Sequence, residues 1–435
     1  MPLLKNKTAS DFTTLKKEVA NNELFISDEK DKNRANVKHR RTLVSYPPTY
    51  TPSFVTNNIS RSVGYIPYAL SRILQAVAIP RIFAFAGDPD ISTYSGDNGP
   101  ALSAGFTSVR ALGIDGTGNI FILDNNSYVV RKVDTNGRLT RFAGTGAQGE
   151  TGNGGPATSA TFFNLLSMTC DIEGNVYVYD SAARTIRKVN TSGIINTIAG
   201  LGKFGGTTPA AAYNEAALGK AILGSPTYLK IGHNGNLYFS DITNDTVSKI
   251  DSSGNYQLVA GTGTQGFSGD GGAATSCTLN NPSGLAFDRM GNTYIADTSN
   301  NRIRKIDSTG TITTFAGTGV QGIDGDGGPA ISCKFNAPGD IACDSRGNLY
   351  IVDGTSTLRI RKIDSSGIIN TVVGIHGVTS ANRTTVVNGG VATSSVLGSQ
   401  IYSLLFDASD NLYFADNICG QVRKLNFFEY INATP

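Results

Sequence analysis

Apolar and polar positions along this chain fall into short runs, rich in β-branched and aromatic residues and bounded by Asp, Asn, Ser and Gly. Runs of this length and composition predict strands rather than helices. One unit shows the grammar. SGLAFD (283–288) reads as strand a, and a D-x-x-G-N turn leads to strand b, NTYIAD (292–297). RIRKID (302–307) reads as strand c, and a second D-x-x-G turn leads to strand d, TITTFAG (311–317). The turns need Asp to accept backbone N–H groups and Gly to take a positive φ.

The unit repeats. Strand b recurs as GNIFILD (118–124), GNVYVYD (174–180), GNLYFSD (235–241), GNTYIAD (291–297), GNLYIVD (347–353) and DNLYFAD (410–416). Its asparagines, Asn119, Asn175, Asn236, Asn292, Asn348 and Asn411, lie 56, 61, 56, 56 and 63 residues apart. One such sheet cannot bury its faces alone, so the copies must pack on each other. A closed ring of blades does this and leaves only short edges. Strands a, b and c occur six times, but after the last c strand (422–426) the chain runs on as FFEYINATP, without a turn or a d strand. An orphan d-type strand, RIFAFAG (81–87), precedes the first a strand. The expectation is an all-β, six-bladed propeller of four-stranded antiparallel blades at 81–435, closed by that N-terminal strand. An extended arm occupies 1–80.

The motifs GNxYIAD, RIRKID, TFAG and GDGGPA resemble the NHL-repeat family of β-propellers, over about residues 83–426. The resemblance implies the fold but not one function, since a propeller hosts many. Some NHL propellers bind RNA on a basic face. Among similar propellers, amidating lyases use several His around zinc, and lactonase-like enzymes use carboxylates and Asn around calcium.

The repeat also explains a misleading motif. Gly261, Gly263 and Gly266 form G-x-G-x-x-G after a strand-like run, as in a dinucleotide site. The same spacing recurs at Gly144, Gly146, Gly149 and at Gly317, Gly319, Gly322, always after strand d and never before a helical pattern. Without a helix N-terminus the pyrophosphate lacks its anchor. These glycines are expected in the turn leaving strand d. The loop that follows, GDGG-[P/A]-A, alternates Asp and Gly as calcium loops do. Asp270, Asp324 and Asp326 are its carboxylates, but Asn153 and Asn388 replace Asp in two copies, and GGTTPAAA (205–212) has no acid. Turn aspartates explain this better than calcium, and no cofactor is expected.

Residues present in every blade are expected to build the fold. They include the strand-b aspartates (Asp124, Asp180, Asp241, Asp297, Asp353, Asp416) and the strand-c lysines (Lys132, Lys188, Lys249, Lys305, Lys362, Lys424). Arg131, Arg187, Arg304, Arg361 and Arg423 recur beside the lysines, with Ser248 in the third copy. Blade-to-blade hydrogen bonds and ion pairs are their expected role. Function is sought where the repeat breaks, in and just before the a strands. Arg110, Ser167, Tyr228, Ser283, Asp340 and Tyr402 vary there and are expected at the mouth of a central channel. Arg110, Tyr228, Asp340 and Tyr402 are the candidates for partner or ligand contact. Three scattered histidines (His39, His233, His376) and one channel carboxylate do not assemble a zinc or calcium shell. A metal-dependent lyase or hydrolase is therefore the alternative, not the leading reading.

Composition and charge sharpen the division of the chain. Of 435 residues, 39% are hydrophobic, 16% charged and 51 are Gly, with a net charge of +3. Residues 1–80 hold 12 basic and 6 acidic residues, leaving 25 and 28 to the propeller, a net −3. That sign argues against nucleic-acid binding by the propeller. The arm carries KDKNRANVKHRR (30–41), with Lys38, Arg40 and Arg41 as candidate contacts, then YPPTYTPS (46–53) and a short amphipathic pattern at 68–78. It is too polar for a second core and reads as a tether. No signal peptide or membrane-spanning run is recognised.

The five cysteines lack metal-site spacing and fit a reducing compartment of synthesis, although a Cys277–Cys333 disulfide is conceivable. Cys170 and Cys343 share a core position. The leading expectation is a non-enzymatic protein-interaction or structural module held by its arm in a larger assembly. A virion or surface layer would suit it, with other proteins or copies of itself as partners. The divergent loops at 203–220 and 375–399 are the expected partner-specific elements.

Overall fold

Every D-x-x-G turn begins with an acceptor placed by the sequence. In the fourth repeat Asp288 Oδ1 accepts the backbone N–H groups of Met290 and Asn292, each at 2.9 Å, while the Asn292 side chain donates to Oδ2 at 2.6 Å. Asp171, Asp344 and Asp407 bind Asn175, Asn348 and Asn411 in the same way. The closed turn returns strand a onto strand b, so each unit folds locally into an antiparallel meander.

The computed structural model describes residues 80–200, 223–355, 358–375, 388–398 and 400–427. The arm with Lys38, Arg40 and Arg41, the pattern at 68–78, His39, His376, the loop at 203–220 and most of 375–399 lie outside the described residues.

Arg81–Asn426 forms one compact unit of six sheets with the expected a-b-c-d order. In blade one these strands are Val109–Ile114, Ile120–Asp124, Val129–Val133 and Leu139–Ala143. Each a strand also packs on the a strand of the next blade, and the sixth on the first, which closes the ring. The core lies between blades: Phe121 and Leu123 of blade one pack with Met168, Val176 and Val178 of blade two. Closure occurs as the strand count requires. Arg81–Ala86 runs antiparallel to the last strand, Gln421–Asn426, pairing Ile82 with Leu425 and Phe83 with Lys424.

The glycine-rich loops leave strand d as expected. Gly144, Gly261 and Gly317 each have φ of +91°, and a Cβ on Gly261 would lie 2.4 Å from the Asp245 carbonyl. Beyond them the chain does something the sequence did not announce. The GDGG segment crosses to the next blade and pairs with the outer edge of its d strand. Gly271 N–H donates to Ile312 O at 2.8 Å, and Ile312 N–H returns a bond to Gly272 O at 3.0 Å. Equivalent contacts join Asn98 to Leu139, Gly154 to Ile195, Gly327 to Ile369 and Gly389 to Ile82. These loops strap adjacent blades together.

The strand-c arginines lock the straps. Arg131, Arg187, Arg304 and Arg361 are fully buried. Arg304 binds Asp270 at 2.7 Å and the Ser268 carbonyl at 3.0 Å; Arg361 binds Asp326 at 2.7 Å and the Lys334 carbonyl at 2.7 Å. Thr314 and Thr371 add hydroxyl donors to Asp270 and Asp326, each at 2.6 Å. The acids weighed as calcium ligands thus face guanidinium groups. Asp324 pairs instead with Lys334 at 3.1 Å. Among the described residues no three His, Cys, Asp or Glu side chains are grouped as for a metal ion.

Two expectations about recurrent residues need correction. Among the described residues the strand-c lysines make no ion pairs between blades. Each sits above the aromatic ring directly opposite on strand b, from Lys188 over Tyr177 at 5.2 Å to Lys305 over Tyr294 at 6.0 Å. A cross-strand cation–π pair satisfies the ammonium without a carboxylate. The strand-b aspartates act within the blade, accepting backbone N–H groups just before strand a, as Asp241 does from Gly224 and Ser225. Cys277 and Cys333 are separate, buried free thiols, and Cys170 and Cys343 are also free.

Candidate functional site

The a strands are innermost, so their side chains determine what the channel presents. A regular strand would send neighbouring residues to opposite faces. Here the a–b register shifts between Val109 and Ala111, Leu165 and Ser167, Pro226 and Tyr228, Pro282 and Leu285, and Ile401 and Leu404. Such bulges re-aim side chains. Residues from two successive positions therefore reach one cavity of about 290 Å³, which Arg110, Ser167, Tyr228, Ser283, Asp340 and Tyr402 all line.

One inner position has a repeated structural task. Ser167 Oγ accepts the backbone N–H of Leu229 in the next blade at 2.9 Å, and Ser403 Oγ accepts that of Leu112 at 3.2 Å. Asp340 does the same through Oδ2, accepting Leu404 N–H at 2.7 Å. A serine therefore suffices for the inter-blade bond. Asp340 brings a second oxygen, Oδ1, which has no hydrogen-bond partner among the described residues although Asp340 is only 1% exposed.

Around it stands a cationic, aromatic wall. The Arg110 guanidinium lies 4.5 Å from the centre of the Tyr402 ring, and its buried Nε has no hydrogen-bond partner among the described residues. Lys230 reaches from blade three to Asp340 Oδ2 of blade five (3.5 Å) and the Leu404 carbonyl of blade six (3.1 Å). Burial pushes the Asp340 carboxyl above its usual range, with Lys230 opposing that shift. Burial, then the nearby Asp340 and Tyr402, push the Tyr228 phenol upward. The Thr227 hydroxyl is another buried group without a partner among the described residues.

Sequence reasoning missed Lys230 and Ser403. Lys230 was detectable: it is the one charged residue in a column otherwise holding Gly113, Thr169, Ala286, Ala342 and Leu405. Ser403 was detectable too, since it stands in the same column as Ser167, Tyr228 and Asp340. His233 is exposed in the a–b turn of blade three and does not line the cavity.

Chemically, the cavity offers Arg110 and Lys230 as cations, Asp340 as an acceptor and two phenols. It lacks a grouped set of metal-binding side chains.

Comparison with known proteins places the chain. The Teneurin NHL domain model matches residues 144–267, 234–324 and 319–424. Teneurin-4 of Mus musculus is 31% identical over 282 residues, covering 57% of this chain and 10% of that protein. Teneurin-1 of Homo sapiens is 30% identical over 264 residues, covering 56% and 9%. The chain thus spans about a tenth of the length of the curated relatives it matches. A Bacteroides thetaiotaomicron structural-genomics protein of unknown function superposes with a TM-score of 0.55 at 18% identity, covering 80% of this chain and 75% of that one. An auxiliary nutrient binding protein from the same organism gives 0.54 at 13%, covering 80% and 76%. Both likenesses concern the fold alone. With repeats, ring closure and family match in agreement, the chain belongs to the Teneurin NHL domain family of β-propellers.

Proposed function

We propose that this protein is a non-enzymatic protein-interaction module. Its propeller presents a rigid docking surface, and its basic arm tethers it within a larger assembly such as a shell or surface layer. The supporting observation is the departure of blade three from its sisters. The strand-d residue paired with the last apolar residue of strand c is fully buried in the other blades, as Ile82, Leu139, Ile195, Ile312 and Ile369. In blade three it is Tyr256, 40% exposed, and Leu258 on the same strand is also 40% exposed.

The locking parts differ at the same place. Ser248 replaces the arginine and bonds to the Tyr256 hydroxyl at 2.6 Å. The loop leading into this blade, GGTTPAAA (205–212), lacks the acid of its sister GDGG loops. Partly exposed Tyr and Leu on an outer strand are the kind of surface an extended segment of another protein covers by strand addition.

The test measures molar mass in solution for the full chain, a chain beginning at Pro80, and the double variant Tyr256→Ser, Leu258→Thr. Assembly of the full chain, alone or with its partner, that is lost in the truncated chain supports the tether. Loss in the double variant supports the blade-three surface. A full chain that stays monomeric and hydrolyses a lactone or ester at a rate set by Asp340 overturns the proposal.

A further inference from the structure

We propose that the channel cavity binds a small organic acid bearing a hydroxyl or ammonium group beside its carboxylate, a hydroxy acid or an amino acid. The site is independent of the blade-three surface. Three observations carry it.

The first is Asp340. Ser167 and Ser403 make the same inter-blade hydrogen bond with one oxygen each, so the fold does not need a carboxylate here. Asp340 lines the cavity and carries a further acceptor, Oδ1, that is buried and without a partner among the described residues. An unmatched buried acceptor carries a standing penalty that a ligand donor removes. A hydroxyl or ammonium is such a donor.

The second is Arg110. Its guanidinium lies over the Tyr402 ring, 4.5 Å from the centre, and a contact through the face of a guanidinium leaves its N–H groups free to donate. Among the described residues it makes no ion pair, and its Nε is buried without an acceptor. A planar fork of this kind matches a carboxylate.

The third is the charge and size of the cavity. Arg110 and Lys230 outnumber Asp340, and Lys230 already contacts Asp340 Oδ2, so the unmatched charge belongs to Arg110. The volume of about 290 Å³ lies at the lower end of small-ligand pockets and admits a metabolite rather than a folded segment.

The experiment is calorimetric titration of the full chain with matched pairs: lactate against propionate, malate against succinate, and glycine against acetate. The expected result is millimolar or tighter binding of at least one hydroxyl- or amino-bearing member, with its plain partner about tenfold weaker or more. Arg110→Met keeps an apolar stem over Tyr402 and should weaken binding at least about tenfold. Asp340→Ser keeps the bond to Leu404, as its sister blades do, and should erase the preference within the pair. Thermal unfolding of each variant checks that the ring survives, and the wild-type preference reads the donor requirement without any variant. No binding by any probe at 10 mM (roughly the weak limit for a specific site) overturns the proposal. So does binding that Arg110→Met leaves unchanged, or a plain acid bound as well as its partner.

Discussion

Arg304 shows how one recurrent side chain joins two blades. Its guanidinium, fully buried, meets Asp270 of the strap and Asp297 of its own blade, the latter at 3.3 Å. Removing it leaves Asp297, itself fully buried, without its cation. Breaking a buried pair from one side costs about 3–5 kcal/mol. Arg304→Ala should lower stability by that amount in urea unfolding, whereas Ser248→Ala in blade three should cost only about 1 kcal/mol. Equal losses would refute the lock. The turn acids give a pH signature. Burial raises the Asp288 carboxyl, but hydrogen bonds from the Asn292 side chain and backbone and from Tyr294 outweigh it and hold the group below its ordinary value. A depressed folded pKa adds stability that is present above the unfolded pKa, about 3.9, and is lost as pH falls through the folded value. Asp288→Asn should therefore be less stable than the wild type at pH 7, with the gap closing below about pH 4. A gap that stays constant to pH 3 would count against it. The role of Asp288 was readable from D-x-x-G-N, since a local turn needs only neighbours in sequence. The partner of each lysine was not, because cross-strand register places the ring beneath it.

At the scale of elements, the orphan strand and the strap behave differently. Arg81–Ala86 supplies the fourth strand of blade six, buries Ile82 and Ala86 completely, and sets Phe85 edge-on to Tyr413 at 4.9 Å. A chain beginning at Pro80 should unfold in one cooperative transition. One beginning at Asp88 should lose on the order of 5 kcal/mol, comparable to the whole stability of many domains. Urea unfolding followed by circular dichroism distinguishes them, and identical midpoints would rule out this closure. Strand counting anticipated this element because a repeat with one piece missing implies where the piece is. The strap was not legible, since GDGG reads as a turn until the outer edge of the next blade is beside it. The bulge in strand a was equally hidden: it brings Arg110 and Ala111, adjacent in sequence, to the same cavity.

Across the whole molecule, six near-copies make six near-equivalent interfaces, and what distinguishes this chain lies where equivalence fails. Blade three exposes Tyr256 and Leu258, and the channel replaces a sufficient serine with Asp340. By itself the sequence determined the number of blades, the order of their strands, the closing strand and the residues that belong to the repeat. Those follow from local periodicity and from counting copies, which need no coordinates. Only the tertiary structure decided that the GDGG acids meet arginines, that Lys230 spans the channel, and that Asp340 keeps one oxygen unmatched. Each depends on groups far apart in sequence, as Lys230 and Leu404 are, brought within hydrogen-bond distance only once the ring has closed.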